Sequence, residues 1–364
     1  MANFYIAPGR INIIGEHTDY NDGYILPAAI DKYIQVSFEK KDEGLTEVVS
    51  GEKRGEFDSN NPQKTNSWLD YVQGVFKVLK EKEGVEFPQF KIEVKSNLPE
   101  GAGLSSSAAL EVSIITALDD LLDLNLSEKK KFLYCQEAEN KFVGMNCGVM
   151  DQMASVLGKK DNAIFVDTET LEYEYIPLKM ENFSLIVLNS KIHHELVAGD
   201  YNKRREESGN ALKELNKKNY KDLSITDLIL NRRKIDQILY KRAMHVVSEN
   251  GRVLESIGTL KNSNWENLGR FLLQSHESLS YDYEVSCEEI DYLIEEIRKQ
   301  NRVTGARMIG GGFGGSILLV VENEYIDEVM KELNEKYKEK YDIEFDYYIV
   351  NPSEGARKID KPVL

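Results

Sequence analysis

The chain is 364 residues long, 41% hydrophobic and 30% charged, with 46 Lys and Arg set against 62 Asp and Glu. A formal net charge of −16 excludes holding a nucleic-acid backbone or an anionic membrane by bulk attraction, so any bound anion must be caught by a local device. At roughly 100–200 residues per domain, the length predicts two domains.

The three cysteines, Cys135, Cys147 and Cys287, form no CxxC pair, which argues against a disulfide framework or a structural zinc and fits a reducing compartment. The N-terminal MANFYIAPGR carries neither a basic nor an apolar leader region. Apolar runs such as 317–321 fall far short of the ~20 residues that span a bilayer. The expectation is a soluble, cytoplasmic chain with no nucleic-acid and no membrane partner.

In chain order, alternating or continuous apolar runs predict strands over 33–41 and 90–95. Between them, 68–82 places Trp68, Val72, Val75, Phe76 and Leu79 at helical spacing. Two further helices are predicted over 105–122 and 127–143, the second opening on a Ser-x-x-Lys turn. The segment 162–177 reads as a hairpin and 183–189 (FSLIVLN) as a buried strand. From 198 to 299 the pattern is nearly all helical, and a strand (316–321), a helix (326–341) and a last strand (344–350) close the chain. No repeat or low-complexity tract interrupts it. The order predicts an α+β fold with mixed sheets and helices segregated by stretch. A soft boundary is placed near Met180, giving domains 1–180 and 181–364. No Pro/Gly linker marks it, which predicts a broad shared interface with a cleft.

Three segments are too rich in glycine and small polar residues for ordinary turns. In LPEGAGLSSSAAL (98–110), Gly101 and Gly103 let the backbone approach a ligand, and Ser105, Ser106 and Ser107 open a helix whose N–H groups and dipole make an anion cradle. The same residues also read as a strand–turn–helix with a serine cap. The loop lacks the GK[ST] of a Walker A motif, and GxG alone is weak support for a dinucleotide fold. In MIGGGFGGS (308–316) five of nine residues are glycine. That concentration costs folding entropy, and a place beside a ligand is the expected reason. In APGRINIIGEHTDYNDGYILP (7–27), Arg10, Glu16, His17 and Asp19 crowd an apolar INII. Two carboxylates and one imidazole there read as a metal site, as a reader of polyol hydroxyls, or as a capped turn.

In this order the three segments resemble the three motifs of the GHMP small-molecule kinases, the group of galactokinase, homoserine kinase, mevalonate kinase and phosphomevalonate kinase. Within it, GRINIIGEHTDYNDGYILP is similar to the signature of the galactokinase subfamily almost position for position. The resemblance continues through EAENKFVGMNCGVMDQMASVLGKKDNAIFVD (137–167), LVAGDYNKRREE (196–207) and SHESLSYDYEVSCEEID (275–291), and so covers nearly the whole chain. It implies an N-terminal domain like ribosomal protein S5 domain 2 and a C-terminal α+β, ferredoxin-like domain with extra helices, with the active site between them. It also implies an enzyme that transfers phosphate from ATP, with Mg²⁺, to the 1-hydroxyl of D-galactose, the entry step of the Leloir pathway.

Carried over residue by residue, the resemblance implies that the backbone of Gly101, Ala102, Gly103, Leu104, Ser105, Ser106, Ser107 and Ala108 cradles the ATP phosphates, with Trp68 near the adenine. Ser107 and Glu139 would hold Mg²⁺. Asp151 would face the sugar 1-hydroxyl as the catalytic aspartate with Arg10 as its partner. Glu16, His17, Asp19, Gly148, Asp151 and Tyr201 would line the sugar site, Asp19 reading the C3 and C4 hydroxyls. His193, His194 and His276 receive no role, and the basic clusters at 129–131 and at Arg204 and Arg205 read as solvated helix faces. The chain departs from the family at Ile309, usually threonine, at Ser316, often cysteine, and at Ser280 and Tyr281 in SLSYDYE. These departures leave the reaction type intact and bear on sugar specificity. The alternatives are a kinase of the same subfamily for N-acetylgalactosamine or L-arabinose, and a non-catalytic galactose and ATP sensor. A monomer is expected.

Overall fold

The structure, a computed structural model, describes residues 3–193 and 197–364. Strand β1 (Asn3–Asn12) opens the chain and runs antiparallel to the fifteen-residue β3 (Pro27–Lys41), with the short β2 (Tyr24–Ile25) between them in sequence. Residues 5–12 of β1 are all buried, so no in–out alternation announces the strand. The hairpin β4 (Thr46–Ser50) and β5 (Lys53–Phe57) follows, then helix α1 (Leu69–Glu83), which stops at Gly84 in the left-handed conformation. Strand β6 (Gln89–Ser96) leads through the serine–glycine loop into α2 (Ser106–Leu121). Helix α3 (Glu128–Glu137) starts on Ser127, whose side chain accepts the Lys130 N–H as a cap. The single helix expected over 127–143 is in fact two: after Glu137 the chain widens into a π-helical turn, Ala138–Val143, closed by Gly144. Helix α4 (Met150–Leu157) and the hairpin β7 (Asn162–Asp167) and β8 (Glu172–Pro177) complete this half.

Beyond residue 180 come β9 (Phe183–His193) and the helices α5 (Val197–Glu214), α6 (Ile225–Asn231), α7 (Gln237–Lys261), α8 (Trp265–Tyr281) and α9 (Glu288–Arg298). Then follow β10 (Val303–Ile309), β11 (Gly314–Glu322), α10 (Ile326–Tyr341), β12 (Asp346–Val350) and β13 (Arg357–Ile359). Of the neighbouring histidines given no role, His193 closes β9, whereas His194 lies outside the described residues, as does Leu196.

The first sheet runs β13-β1-β3-β6-β4-β5, the second β10-β11-β9-β12, and β2-β7-β8 form a small third. The second sheet is buried on both faces, and its residues divide by parity. Leu185 and Val187 of β9, with Leu318 and Val320 of β11, join the core built on the first sheet. Ile186 and Leu188, with Ile317, Leu319 and Val321, face the second core beneath α9 and α10. That two-sided burial of β9 is why Leu185–Leu188 is an unbroken apolar run. Val253 and Leu260 of α7 and Leu268 and Leu272 of α8 also reach the first core. The last strand returns to β1, pairing Phe4 with Ile359, so the first sheet is closed by the chain's end. Among the described residues no helix is long and apolar enough to cross a membrane.

Candidate active site

The register of β1 against β3 shifts between Pro8 and Arg10, and the loop before α2 lies across this shift. Gly9 permits the approach: a Cβ there would stand 2.6 Å from the Leu104 carbonyl oxygen and 2.4 Å from a Leu98 methyl. The Arg10 N–H donates to the Leu104 carbonyl at 3.1 Å. The Arg10 side chain donates through Nη1 to the Gly103 carbonyl and through Nε to Asp151 Oδ1, both at 2.7 Å. The second oxygen of Asp151 accepts from Ser105 Oγ at 2.5 Å. Asp151 therefore sits at the first turn of α4, tied to both β1 and the serine–glycine loop. Burial opposes the charge on Arg10, but Asp151, Glu16 and Asp19 together hold its guanidinium above its ordinary value.

Around this pair lies a cavity of about 250 Å³ lined by Arg10, Glu16, His17, Asp19, Ser107, Glu139, Gly148, Asp151 and Tyr201. Met145, Cys147, Met150, Gly310 and Gly311 complete its wall. Gly148 is fitted against Asp19 so closely that a Cβ would stand 1.8 Å from Asp19 Oδ2. His17 is buried and has a left-handed backbone, Nδ1 lying 2.7 Å from the Tyr20 hydroxyl, while Nε2 has no partner among the described residues. An unpartnered imidazole nitrogen on a cavity wall is what a hydroxyl ligand would satisfy. Burial, then the charges of His245, Arg204 and Arg307, push His17 down to about 3, so it is neutral at pH 7. Burial, then the neighbouring Asp151 and Glu16, push Asp19 up to about 7. Glu139 is raised to about 7, by burial and then by Asp151. Four carboxylates share this space with one arginine, an excess suited to hydroxyl donors and a cation.

Ser107 also borders a second cavity of about 460 Å³ with Ser106, Trp68, Tyr71, Leu98 and Glu100 on its wall and Ile34, Val94 and Leu110 behind them. Through the intervening loop, Gly101, Gly103 and Ser105 all adopt positive φ and exposed residues alternate with buried ones. Gly101, Gly103 and Ser106 face outward while Ala102, Leu104 and Ala108 plug the core. The first N–H groups of α2 are thus presented where the two cavities meet. There Ser107 Oγ donates to Glu139 Oε1 at 3.2 Å, and Gln152 Nε2 donates to Glu139 Oε2 at 2.6 Å and to the buried Glu111 at 3.3 Å.

Comparison with known proteins gives the class first. Residues 70–159 match the GHMP kinases N terminal domain and residues 256–339 the GHMP kinases C terminal domain. A mevalonate kinase of Methanococcus jannaschii, 17% identical, shares the fold with a TM-score of 0.67 over 96% of this chain and 98% of its own. The subfamily follows from nearer relatives. Residues 2–40 match the galactokinase galactose-binding signature. A galactokinase of Thermotoga petrophila is 45% identical over 97% of this chain and 99% of its own, and one of Thermotoga maritima 44% over the same shares. The Lactococcus lactis galactokinase, solved in complex with galactose, is 32% identical with a TM-score of 0.93, covering 98% of this chain and 95% of its own. The chain belongs to the galactokinase family.

The departures from the family pattern lie off the first cavity. Ile309 and Ser316 are buried in the β10–β11 hairpin, Ser280 donates to Asp291 at 2.9 Å, and Tyr281 is 72% exposed. His276 bridges Asp291 and the Met308 N–H away from the cavity. Met145, Cys147 and Met150 escaped the sequence reading of individual residues, although they stand in the matched GMNCGVMDQ stretch.

Proposed function

We propose that the chain catalyses ATP-dependent phosphorylation of D-galactose at its 1-hydroxyl, giving α-D-galactose 1-phosphate and ADP. The observation that carries this reading is the Arg10–Asp151 pair in a cavity walled by carboxylates, which shares Ser107 with a second cavity rimmed by serine hydroxyls. The sugar occupies the first, held by Glu16, His17, Asp19, Gly148 and Tyr201, and ATP the second, with Trp68 against the base and the loop 101–108 around the phosphates. Asp151, oriented by its hydrogen bond from Arg10, accepts the hydrogen of the 1-hydroxyl and aims its oxygen at the γ-phosphorus. Arg10 adds positive charge where the transferring group becomes more negative. Phosphoryl transfer is accelerated mostly by such positioning and neutralisation, so an early strong base is not required of Asp151.

Ser107 and Glu139 offer hard oxygen ligands at the junction, and a cation there offsets the penalty that burial and Asp151 place on a negative Glu139. They would hold Mg²⁺, which when bound offsets phosphate charge and orients the phosphates. A cytoplasmic monomer, with the two halves divided near residue 180, completes the reading. Asp19 reads the sugar because a carboxylate fixed against Gly148 has two acceptors for adjacent hydroxyls, and an epimer leaves one unpaired.

The test is ADP release with Mg·ATP and galactose, glucose, talose, N-acetylgalactosamine or L-arabinose supplied in parallel. Galactose well above the rest is the expected result. Preference for another sugar keeps the kinase and reassigns the cavity, and no turnover with any sugar, but a thermal shift with galactose and ATP, makes the chain a sensor.

A further inference from the structure

Residues 12–16 carry Glu16 into the first cavity, yet five of their backbone polar groups are held from the C-terminal half. Glu249 of α7 is fully buried, and its Oε1 accepts the N–H of Gly15 at 2.9 Å, the N–H of Glu16 at 3.3 Å and the Ser275 hydroxyl at 2.7 Å. Its Oε2 accepts from Arg252 Nε at 2.7 Å. Arg307 of β10, equally buried, donates from Nε to the Ile13 carbonyl at 2.8 Å, from Nη1 to its neighbour's Met308 carbonyl at 2.9 Å and from Nη2 to the Asn12 carbonyl. The same Nη2 reaches Glu16 Oε1 at 3.2 Å. His245 Nε2 lies 3.0 Å from the Glu16 carbonyl oxygen. Gly15 turns the chain at φ 102, where a Cβ would stand 2.7 Å from the Tyr24 carbonyl oxygen.

Burying a full charge is costly unless every bond it can make is made, and an apolar pair of similar volume would fill the same space at less cost. Glu249 and Arg307 do not pair with each other; their bonds converge on one turn. The consequence falls on Glu16. Its Oε1 is occupied by Arg307 and by the Gly310 N–H at 3.0 Å, while Oε2 has no partner among the described residues and the side chain lines the cavity.

We propose that Glu249 and Arg307 are positioning residues of the sugar site: acting through residues 12–16, they set the Glu16 carboxylate in the cavity from the opposite half of the molecule. This rests on the sugar reading of that cavity. Neither residue lines the cavity, and both act on sugar binding ahead of nucleotide binding, because the turn they hold ends on Glu16, which lines the first cavity and not the second.

The test is initial-rate kinetics with galactose and Mg·ATP varied separately, for wild type, Glu249→Ala, Glu249→Gln and Arg307→Lys, each checked for folding by circular dichroism. Losing a buried charged acceptor for two N–H groups should raise KM for galactose about tenfold or more in Glu249→Ala and leave KM for ATP within about twofold. Glu249→Gln retains an amide oxygen facing Gly15 and Glu16, and should return KM for galactose to within about threefold of wild type. Arg307→Lys replaces a fork by a point charge and should behave like Glu249→Ala. An unchanged KM for galactose in folded Glu249→Ala or Arg307→Lys overturns the proposal, as does equal weakening of both substrates, which marks a merely structural role. If Glu249→Ala does not fold, Arg307→Lys and the Glu249→Gln comparison decide. A wild type that ignores galactose while turning over another sugar refutes the galactose reading alone, and the same split is then sought with that sugar. A wild type inert with every sugar overturns both.

Discussion

Both carboxylate oxygens of Asp151 are engaged within the chain, Oδ1 by Arg10 and Oδ2 by Ser105. A side chain so held is oriented, and replacing its carboxylate should strike turnover far harder than nucleotide binding. Asp151→Asn is expected to lower kcat by about 10²–10⁴-fold. Titration calorimetry should find ATP affinity within a few-fold of wild type. Asp19 gives a prediction in pH. Its carboxyl titrates near 3.8 in an unfolded chain and at about 7 in the folded one, so the folded protein binds the extra proton between those values. The stability Asp19 contributes is therefore present in full below about pH 4 and is lost as pH rises through about 7. Asp19→Asn, which carries no such proton, should unfold at a higher temperature than wild type at pH 8, with the gap closing towards pH 5 in ligand-free thermal scans. A gap independent of pH would contradict the assignment.

At the scale of elements, helices were legible wherever one apolar stripe faced one core, as in α1 and α10. What escaped was structure without a period. Strand β1 is buried on both faces over residues 5–12, and β10 carries the buried Arg307 in an otherwise apolar run, so neither alternates. The π-helical turn after α3 has helical spacing on paper, and its change of pitch turns Glu139 towards Ser107. The candidate site was legible through its motifs only once they were taken together as a family resemblance, because 101–107 alone also reads as a serine-capped turn and the EHTDY run as a capped turn or metal site. His245, Glu249 and Arg307 were not, since their partners are backbone groups some 230–290 residues away in sequence. One glycine was also silent. Gly269 of α8 faces Gly305 of β10, and a Cβ on it would stand 2.0 Å from the Thr304 carbonyl oxygen. Gly269→Ala must push helix and strand apart, and should cost about 1–3 kcal/mol or more of stability, read as a lower urea midpoint.

At the scale of the molecule, the two halves are neither separate bodies nor a simple series. The last strand pairs with the first, α7 and α8 reach into the N-terminal core, and the turn bearing Glu16 is completed by α7 and β10. Ligands that bridge the halves should therefore stabilise the whole fold by mass action, and galactose with Mg·ATP should raise the unfolding temperature above either alone. The central claim is chemical: phosphate passes from ATP to the anomeric oxygen of galactose across the Arg10–Asp151 pair. Its most direct test is ³¹P NMR of galactose, Mg·ATP and the protein together. The account predicts a new phosphomonoester signal, split by the anomeric proton, growing in step with ADP and slowed by about 10²-fold or more with Asp151→Asn. Phosphate on any other carbon of the sugar, or ADP formed with no sugar phosphate, would contradict it.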